Sequence, residues 1–335
     1  MNKKLSRRLA MALLGAAALW IFVRQTAGAR GAAEGLAARP EARYQWRQEN
    51  AKAPFSASYN YPLFNVRNKL WAFHPEGNWN SEDGKTWIKA ELPPSGLNTA
   101  FQRYVQFGDA IYALGAKEGN YPDLKLGSRI ARTTDFKKWE VIAETSELPL
   151  RVFYTSVVFT GKIWLIGGTD GKKYYNDVWN SSDAVHWTRV AEHAQWEART
   201  GGSAVVFNGK IWLIGGSIID GPGFHDVWSS TDGITWGKVS ETAKGGGAYS
   251  AVVYDDKIWI VGANRNDGSF GHSVFVTSDG VNWAAHSAPW APRGAAAACV
   301  YEGKLFMTGG KYSTTENGNI HFIYYNDVWH MSRSQ

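Results

Sequence analysis

Cysteine is almost missing from this chain: Cys299 is the single one in 335 residues, so no internal disulfide can form and stability must come from packing. It sits among the small residues 295–300, where a buried thiol acts as a small apolar group. A surplus of one charge is also missing once the first 29 residues are set aside. That stretch holds Lys3, Lys4, Arg7, Arg8 and Arg24 and no acid, and taking these five from the 36 basic residues leaves 31 against 30 acidic ones. A near-neutral body has no basic face to release counterions from a phosphate backbone, which argues against nucleic-acid binding. No nucleophile elbow, phosphate loop, metal cluster or carboxylate pair can be read from the sequence, so no cofactor and no metal are expected. Helix formers do not dominate after residue 40.

What the chain has is aromatics and glycine: 17 Trp, 15 Tyr, 15 Phe and 36 Gly, a composition of short half-buried strands and tight turns. The first 29 residues combine a basic start, an apolar run over 9–23 and the small residues Ala27, Gly28 and Ala29. That is the pattern of a signal peptide, read here as exported to the periplasm or beyond. Its fifteen apolar residues fall short of the ~20 that span a bilayer, and the alternative is an uncleaved N-terminal anchor, the chain's one route to a membrane. Ser6-Arg7-Arg8 resembles a twin-arginine signal, while Ala10 and Met11 depart from that pattern. The division expected is a leader over 1–29, a linker over 30–42 and one folded unit over 43–335.

An internal repeat fills that unit. Gly161-Lys162-Ile163-Trp164-Leu165-Ile166-Gly167-Gly168 recurs from Gly209, from Asp256 and from Gly303, with weaker copies from Asn68 and Gly108. Marked by Leu70, Ile111, Ile163, Ile211, Ile258 and Leu305, the steps are 41, 52, 48, 47 and 47 residues, the length of one propeller blade. After each of the first five copies an Asp precedes a Trp by four residues, at Asp83, Asp135, Asp183, Asp232 and Asp279. Asp then Gly between apolar runs makes a tight hairpin, the Asp accepting backbone N–H bonds and the Gly taking positive φ, and the Trp then plugs the gap between blades. Each unit reads as four strands, in the fourth copy 202–207, 210–215, 226–230 and 235–239. The sixth copy ends after Trp329 without a terminal Trp, and Trp46, 41 residues before Trp87, supplies the missing outer strand. The expected fold is therefore all-β, a six-bladed propeller of four-stranded blades closed by its N-terminal strand, which removes open sheet edges.

The Gly-Gly doublets at 167–168, 215–216 and 309–310, each after four apolar residues and before two spaced aromatics, resemble kelch repeats, as in the galactose oxidase central domain. Two details differ: Trp179 and Trp187 have seven intervening residues where kelch repeats usually have six, and two blades carry Gly-Ala. The Asp turns also look like a shortened Asp-box, structural in the families that have it. At the level of fold the resemblance extends to the bacterial N-acetylneuraminate epimerases, six-bladed sialic acid mutarotases. Galactose oxidase chemistry needs a Cys cross-linked to Tyr, and Cys299 lies inside a repeat strand, which excludes it.

Function on a propeller usually sits where the loops entering the inner strands meet those between second and third strands. Arg151, Arg199 and Arg293 share one position, ten residues before Gly161, Gly209 and Gly303. There they would hold a carboxylate, or else satisfy backbone carbonyls. Glu197 is the candidate general base, and Lys244 lies in the matching loop of blade 5. His225 and His272 begin third strands where blades 3 and 6 carry Asn176 and Asn326. Trp196 and Trp290 would stack on sugar rings or cover the blade tops. The second-to-third-strand segments 116–128 and 311–324 are the longest and hold Tyr121, Tyr312, His321 and Phe322, which points to recognition. The reading preferred on these grounds is a binding module for a protein or glycan. The alternative is a mutarotase or epimerase-like enzyme acting on an anionic sugar such as sialic acid, with the arginines on the carboxylate and Glu197 moving protons.

Overall fold

The computed structural model describes residues 44–334 apart from 91–96, 98–102, 119–124, 220, 222, 245–248, 263–269 and 318. The expected leader, the linker and Tyr121 lie outside the described residues. Six antiparallel four-stranded sheets form a ring, with one additional two-stranded sheet. Blades 1 to 5 take residues 63–89, 103–143, 155–191, 203–240 and 250–287, each running in chain order from inner to outer strand. Blade 4 has strands Ser203–Phe207, Lys210–Ser217, Gly223–Ser230 and Gly237–Ser240, close to the bounds expected from the repeat.

Blade 6 closes the ring. Its inner three strands are Ala297–Tyr301, Lys304–Thr308 and Val328–Arg333, and its outer strand is Tyr44–Asn50 from the other end of the chain. The register pairs Trp46 with Met331 and Gln48 with Trp329. Side chains reinforce the seal: Glu49 Oε1 lies 2.8 Å from His330 Nδ1, and the Tyr44 hydroxyl donates to Asp255 in the neighbouring blade. Burial, opposed by Glu49, holds the His330 imidazole below its ordinary pKa.

The apolar runs make sense once the core is divided by seam. Ile163 and Leu165 of blade 3 pack with blade 2 residues Tyr112 and Leu114, whereas Trp164 and Ile166 pack with Ile211 and Leu213 of blade 4. Alternation persists, but both faces of each sheet are buried, so it appears in the sequence as an unbroken apolar run. Six such clusters among the described residues correspond to the six seams.

The five Asp turns have one construction. At the last, Asp279 Oδ1 accepts the N–H groups of Val281 and Asn282, each at 2.8 Å, and Thr277 Oγ1 accepts that of Gly280 at 2.9 Å. Gly280 has φ of 74°, and a Cβ there would stand 2.5 Å from the Trp212 ring, so only glycine lets this turn rest on the preceding blade. The Asn282 side-chain amide, then the backbone N–H groups, hold the Asp279 carboxyl down at about 2.

Two outcomes are expected. A chain starting at residue 51 should elute as oligomers and unfold roughly 10 °C or more below one starting at residue 43, because it exposes a sheet edge and loses Trp46 from a seam. Equal behaviour by size exclusion and calorimetry would refute the seal. Asp279→Ala should lose about 1 kcal/mol near pH 6, a modest figure because the carboxylate stays solvated. The folded pKa is depressed, so the contribution is full above the ordinary carboxylate pKa and should fade as pH drops toward about 2. Urea titrations of both proteins at pH 6 and pH 2.5 measure this.

Candidate functional site

Three of the candidate residues form a repeated clamp inside the blades. Arg151 donates from Nη1 to the Gly167 carbonyl at 3.1 Å and pairs through both terminal nitrogens with Asp177, Nη2 to Oδ2 at 3.0 Å. Arg199 makes the same bonds to Gly215 and Asp226, and Arg293 to Gly309 and Asp327, with Nη2 to Oδ2 distances of 2.8 and 2.9 Å. Each guanidinium also lies over an aromatic ring, Tyr175 at 3.9 Å, Phe224 at 4.2 Å and Tyr325 at 4.0 Å. The same Oδ2 of each Asp also accepts an indole N–H, from Trp179, Trp228 and Trp329. The clamp pins the Gly-Gly doublet to the third strand, with the arginines 8 %, 2 % and 1 % exposed. Their charge is already matched by carboxylates of the same blade. Burial raises the Asp226 carboxyl, but Arg199 and Trp228 more than offset that and hold it below the usual range.

The sequence carries a signal for the partner acids as well. Tyr175-Asn176-Asp177-Val178-Trp179, Phe224-His225-Asp226-Val227-Trp228 and Tyr325-Asn326-Asp327-Val328-Trp329 share one pattern, an aromatic two residues before an Asp and a Trp two after. Blade 5, with Gly246 at the Arg position, has Ser273 at the Asp position, so the two halves are absent together.

The other candidates are dispersed. Trp196 fills the seam of blades 3 and 4, edge-on to Trp236 at 6.2 Å; Trp290 fills that of blades 5 and 6, edge-on to Trp46 at 4.2 Å. Both are buried, which is the covering role rather than an open stacking surface. Asn176 and Asn326 donate to carbonyls of the next connection, Ala194 and Trp196 in one case and Ala53 and Phe55 in the other. His225 and His272 occupy the same place, and their backbone carbonyls accept from Ala243 and Ala288. Glu197 is exposed, and its backbone carbonyl accepts from Arg199 Nε at 2.9 Å. Lys244 is exposed at the edge of its loop.

A different constellation stands on blade 6. The segment expected as a long loop is a hairpin, Lys311–Glu316 with Asn319–Tyr324, raised above the sheet on the side of Gly309 and Arg293. The pairings Lys311 with Tyr324 and Ser313 with Phe322 put these four side chains on one face. Tyr59 joins them from the connection that leads into blade 1, stacked on Tyr324 at 5.5 Å and 23°, while Phe322 stacks on Tyr324 at 6.3 Å and 27°. The Lys311 ammonium lies 4.5 Å from the Tyr59 ring centre and 4.9 Å from that of Phe322, and burial lowers its pKa to about 8. The hairpin stays open to solvent, with Ile320 near its tip and Ile323 and Tyr324 near its base at 39 %, 46 % and 41 % exposure. On the opposite face Tyr312 meets Phe270 edge-on at 6.0 Å. Blade 2 carries a comparable extension, where Glu118 pairs with Lys125. The sequence pointed to Tyr312, His321 and Phe322 but not to Lys311 or Tyr59, which only the fold brings alongside them.

Comparison with known proteins agrees on architecture. The family model described as the DUF6242 beta propeller domain matches residues 12–267. Among solved structures, the one titled "Structure of YjhT" superposes with a TM-score of 0.66 at 13% identity, covering 84% of this chain and 97% of that chain. At that identity the likeness bears on fold alone. No match is found among curated proteins.

The clamp yields a direct expectation. Arg199→Met leaves Asp226 without its countercharge and should lower stability by roughly 3 kcal/mol, part of which Arg199→Met combined with Asp226→Leu should restore. Unchanged urea unfolding of the single variant would remove the structural assignment of the clamp.

Proposed function

From a chain that belongs to the DUF6242 beta propeller family, we propose an exported, kelch-type binding module that holds a glycan on the aromatic face of the blade 6 hairpin. The observation that carries this reading is the near-parallel stack of Tyr59, Tyr324 and Phe322 beside the Lys311 ammonium. Aromatic faces take up the apolar side of a sugar ring while leaving its hydroxyls to polar neighbours, and Ser313 and Thr315 stand on the same face of the hairpin. A protein partner is the other occupant such a face would accept, through the exposed Ile320 beside Phe322 and Tyr324.

Topology supports this placement. The closing strand starts at Tyr44 opposite Arg333, at the end of blade 6 where the Tyr301-to-Lys304 turn lies, whereas the hairpin rises from the other end. In the proposed division, with a leader over 1–29, a linker over 30–42 and the propeller from 43, a retained leader would tether the ring by the face opposite its binding hairpin. The enzyme reading, a mutarotase-like activity on an anionic sugar, draws on the exposed Glu197; its arginine clamp would have to work with guanidinium groups already paired to Asp177, Asp226 and Asp327.

A glycan array probed with the propeller should show a defined class of retained oligosaccharides, and Phe322→Ala or Tyr324→Ala should weaken that retention at least tenfold with little change in unfolding temperature. Retention unaffected by either variant, or no retention at all, would refute a glycan site on this hairpin. Anomer exchange of sialic acid followed by NMR tests the enzyme reading separately.

A further inference from the structure

The six inner strands that surround the ring axis are Leu63–Val66, Arg103–Phe107, Thr155–Phe159, Ser203–Phe207, Ser250–Tyr254 and Ala297–Tyr301. Their residues are small, apolar or neutral, with one exception: Arg103 is the only charged residue in all six. It occupies the first position of its strand, equivalent to Thr155, Ser203, Ser250 and Ala297 in the later blades. At three of those places a hydroxyl crosses the seam to a carbonyl of the next blade: Thr155 to Gly202, Ser203 to Tyr249 at 2.9 Å and Ser250 to Ala296 at 2.7 Å. Arg103 makes the corresponding bond from Nη2 to the Tyr154 carbonyl at 2.5 Å, with its guanidinium 5.8 Å from the Tyr154 ring centre. A serine suffices for that bond, so the seam does not explain a full positive charge and further N–H donors at this point.

The clamp arginines show what a buried guanidinium in this fold otherwise has, a carboxylate 2.8 to 3.0 Å from Nη2. Arg103 has no acidic partner among the described residues, and burial, opposed by Tyr154 alone, lowers its pKa. An unmatched charge at a half-buried site is unfavourable until an anion joins it, and a planar guanidinium favours a group with two coplanar oxygens. We propose that Arg103 is the recognition group of a carboxylate site at the rim of the central channel, in the seam of blades 2 and 3, for a small organic acid or the acid group of a sugar. The site lies on the far side of blade 1 from the blade 6 hairpin and stands without the glycan reading.

Glucuronate, acetate and glucose are the probes, titrated into the whole propeller by calorimetry in chloride buffer. Glucuronate should bind saturably and raise the unfolding temperature, and glucose should not. Acetate binding as well as glucuronate identifies the carboxylate alone as the ligand; glucuronate binding better assigns the sugar ring a part. Arg103→Gln should weaken glucuronate binding at least tenfold, and Arg103→Lys, which keeps the charge but loses the paired donors, should give an intermediate value. Lys238→Ala, at an exposed cation on the outer strand of blade 4, should leave it unchanged, which separates the Arg103 charge from a general attraction of the anion to surface cations. An arginine serving only the seam would lower the stability of both Arg103 variants without altering their ligand response. The proposal is overturned if the wild-type protein binds neither acid, or if a folded Arg103→Gln or Arg103→Lys variant binds glucuronate as tightly as wild type.

Discussion

No blade of this protein encloses a core of its own. Each apolar cluster is made by the facing sides of two neighbouring sheets, so every blade is half a core until the next one arrives, and the sixth seam exists only if the ring shuts. Pairing Tyr44–Asn50 with Val328–Arg333 is therefore the contact on which the rest depends. Because the chain has one cysteine, closure relies on ladder bonds, the edge-on packing of Trp46 against Trp290, and the Tyr44–Asp255 and Glu49–His330 contacts. Tyr44 has a further task. Blades 1 to 5 each set an Asp turn near the second-strand aromatic of the blade before, as Gly280 sits near Trp212; blade 6 has no such turn, and Tyr44 lies 4.7 Å from Trp259 in its place.

Much of this could be read in the sequence because it is written six times. A repeated Gly-x-Ile-Trp run with a following Asp turn shows its period whatever its environment, and the one incomplete copy indicates where the chain ends must meet. Strand bounds followed to within a few residues. The candidate site was less legible, for physical reasons. Alignment put Arg151, Arg199 and Arg293 at one position but could not say where their donors went, since the matching acids lie 26, 27 and 34 residues on. Tyr59 and Tyr324 are separated by nearly the whole ring in sequence and stack only because the ring is closed. Arg103 is not legible in the sequence, because its neighbourhood there resembles an ordinary inner strand; its singularity appears only when the six are compared at the same register.

Repetition itself sorts structural from functional chemistry in this molecule. A group present in several blades with the same partners, such as the Arg–Asp–Trp clamp or the Asp turn, answers a need that every such blade has. The paired absence of Arg and Asp in blade 5 fits that logic, since either alone would leave an unmatched charge in a half-buried place. Departures from the repeat are the informative positions. The raised aromatic hairpin of blade 6 and the positive charge at the head of the blade 2 inner strand go beyond what the seams require, and both lie toward the same end of the ring.

That common end follows from the way the chain winds. Each blade's turn between first and second strands lies at one face, and its link between second and third strands at the other. The first kind is nearly uniform, two residues at Arg67-Asn68, Thr160-Gly161, Asn208-Gly209 and Glu302-Gly303, because it must lie close under the ring where the next seam begins. The second kind faces no such limit, and its length varies from the tight turn after His74 to the twelve-residue-strand hairpin formed by 311–316 and 319–324. Variation is tolerated where no seam depends on it, so the face that carries the links between second and third strands is free to acquire ligand chemistry without loss of closure.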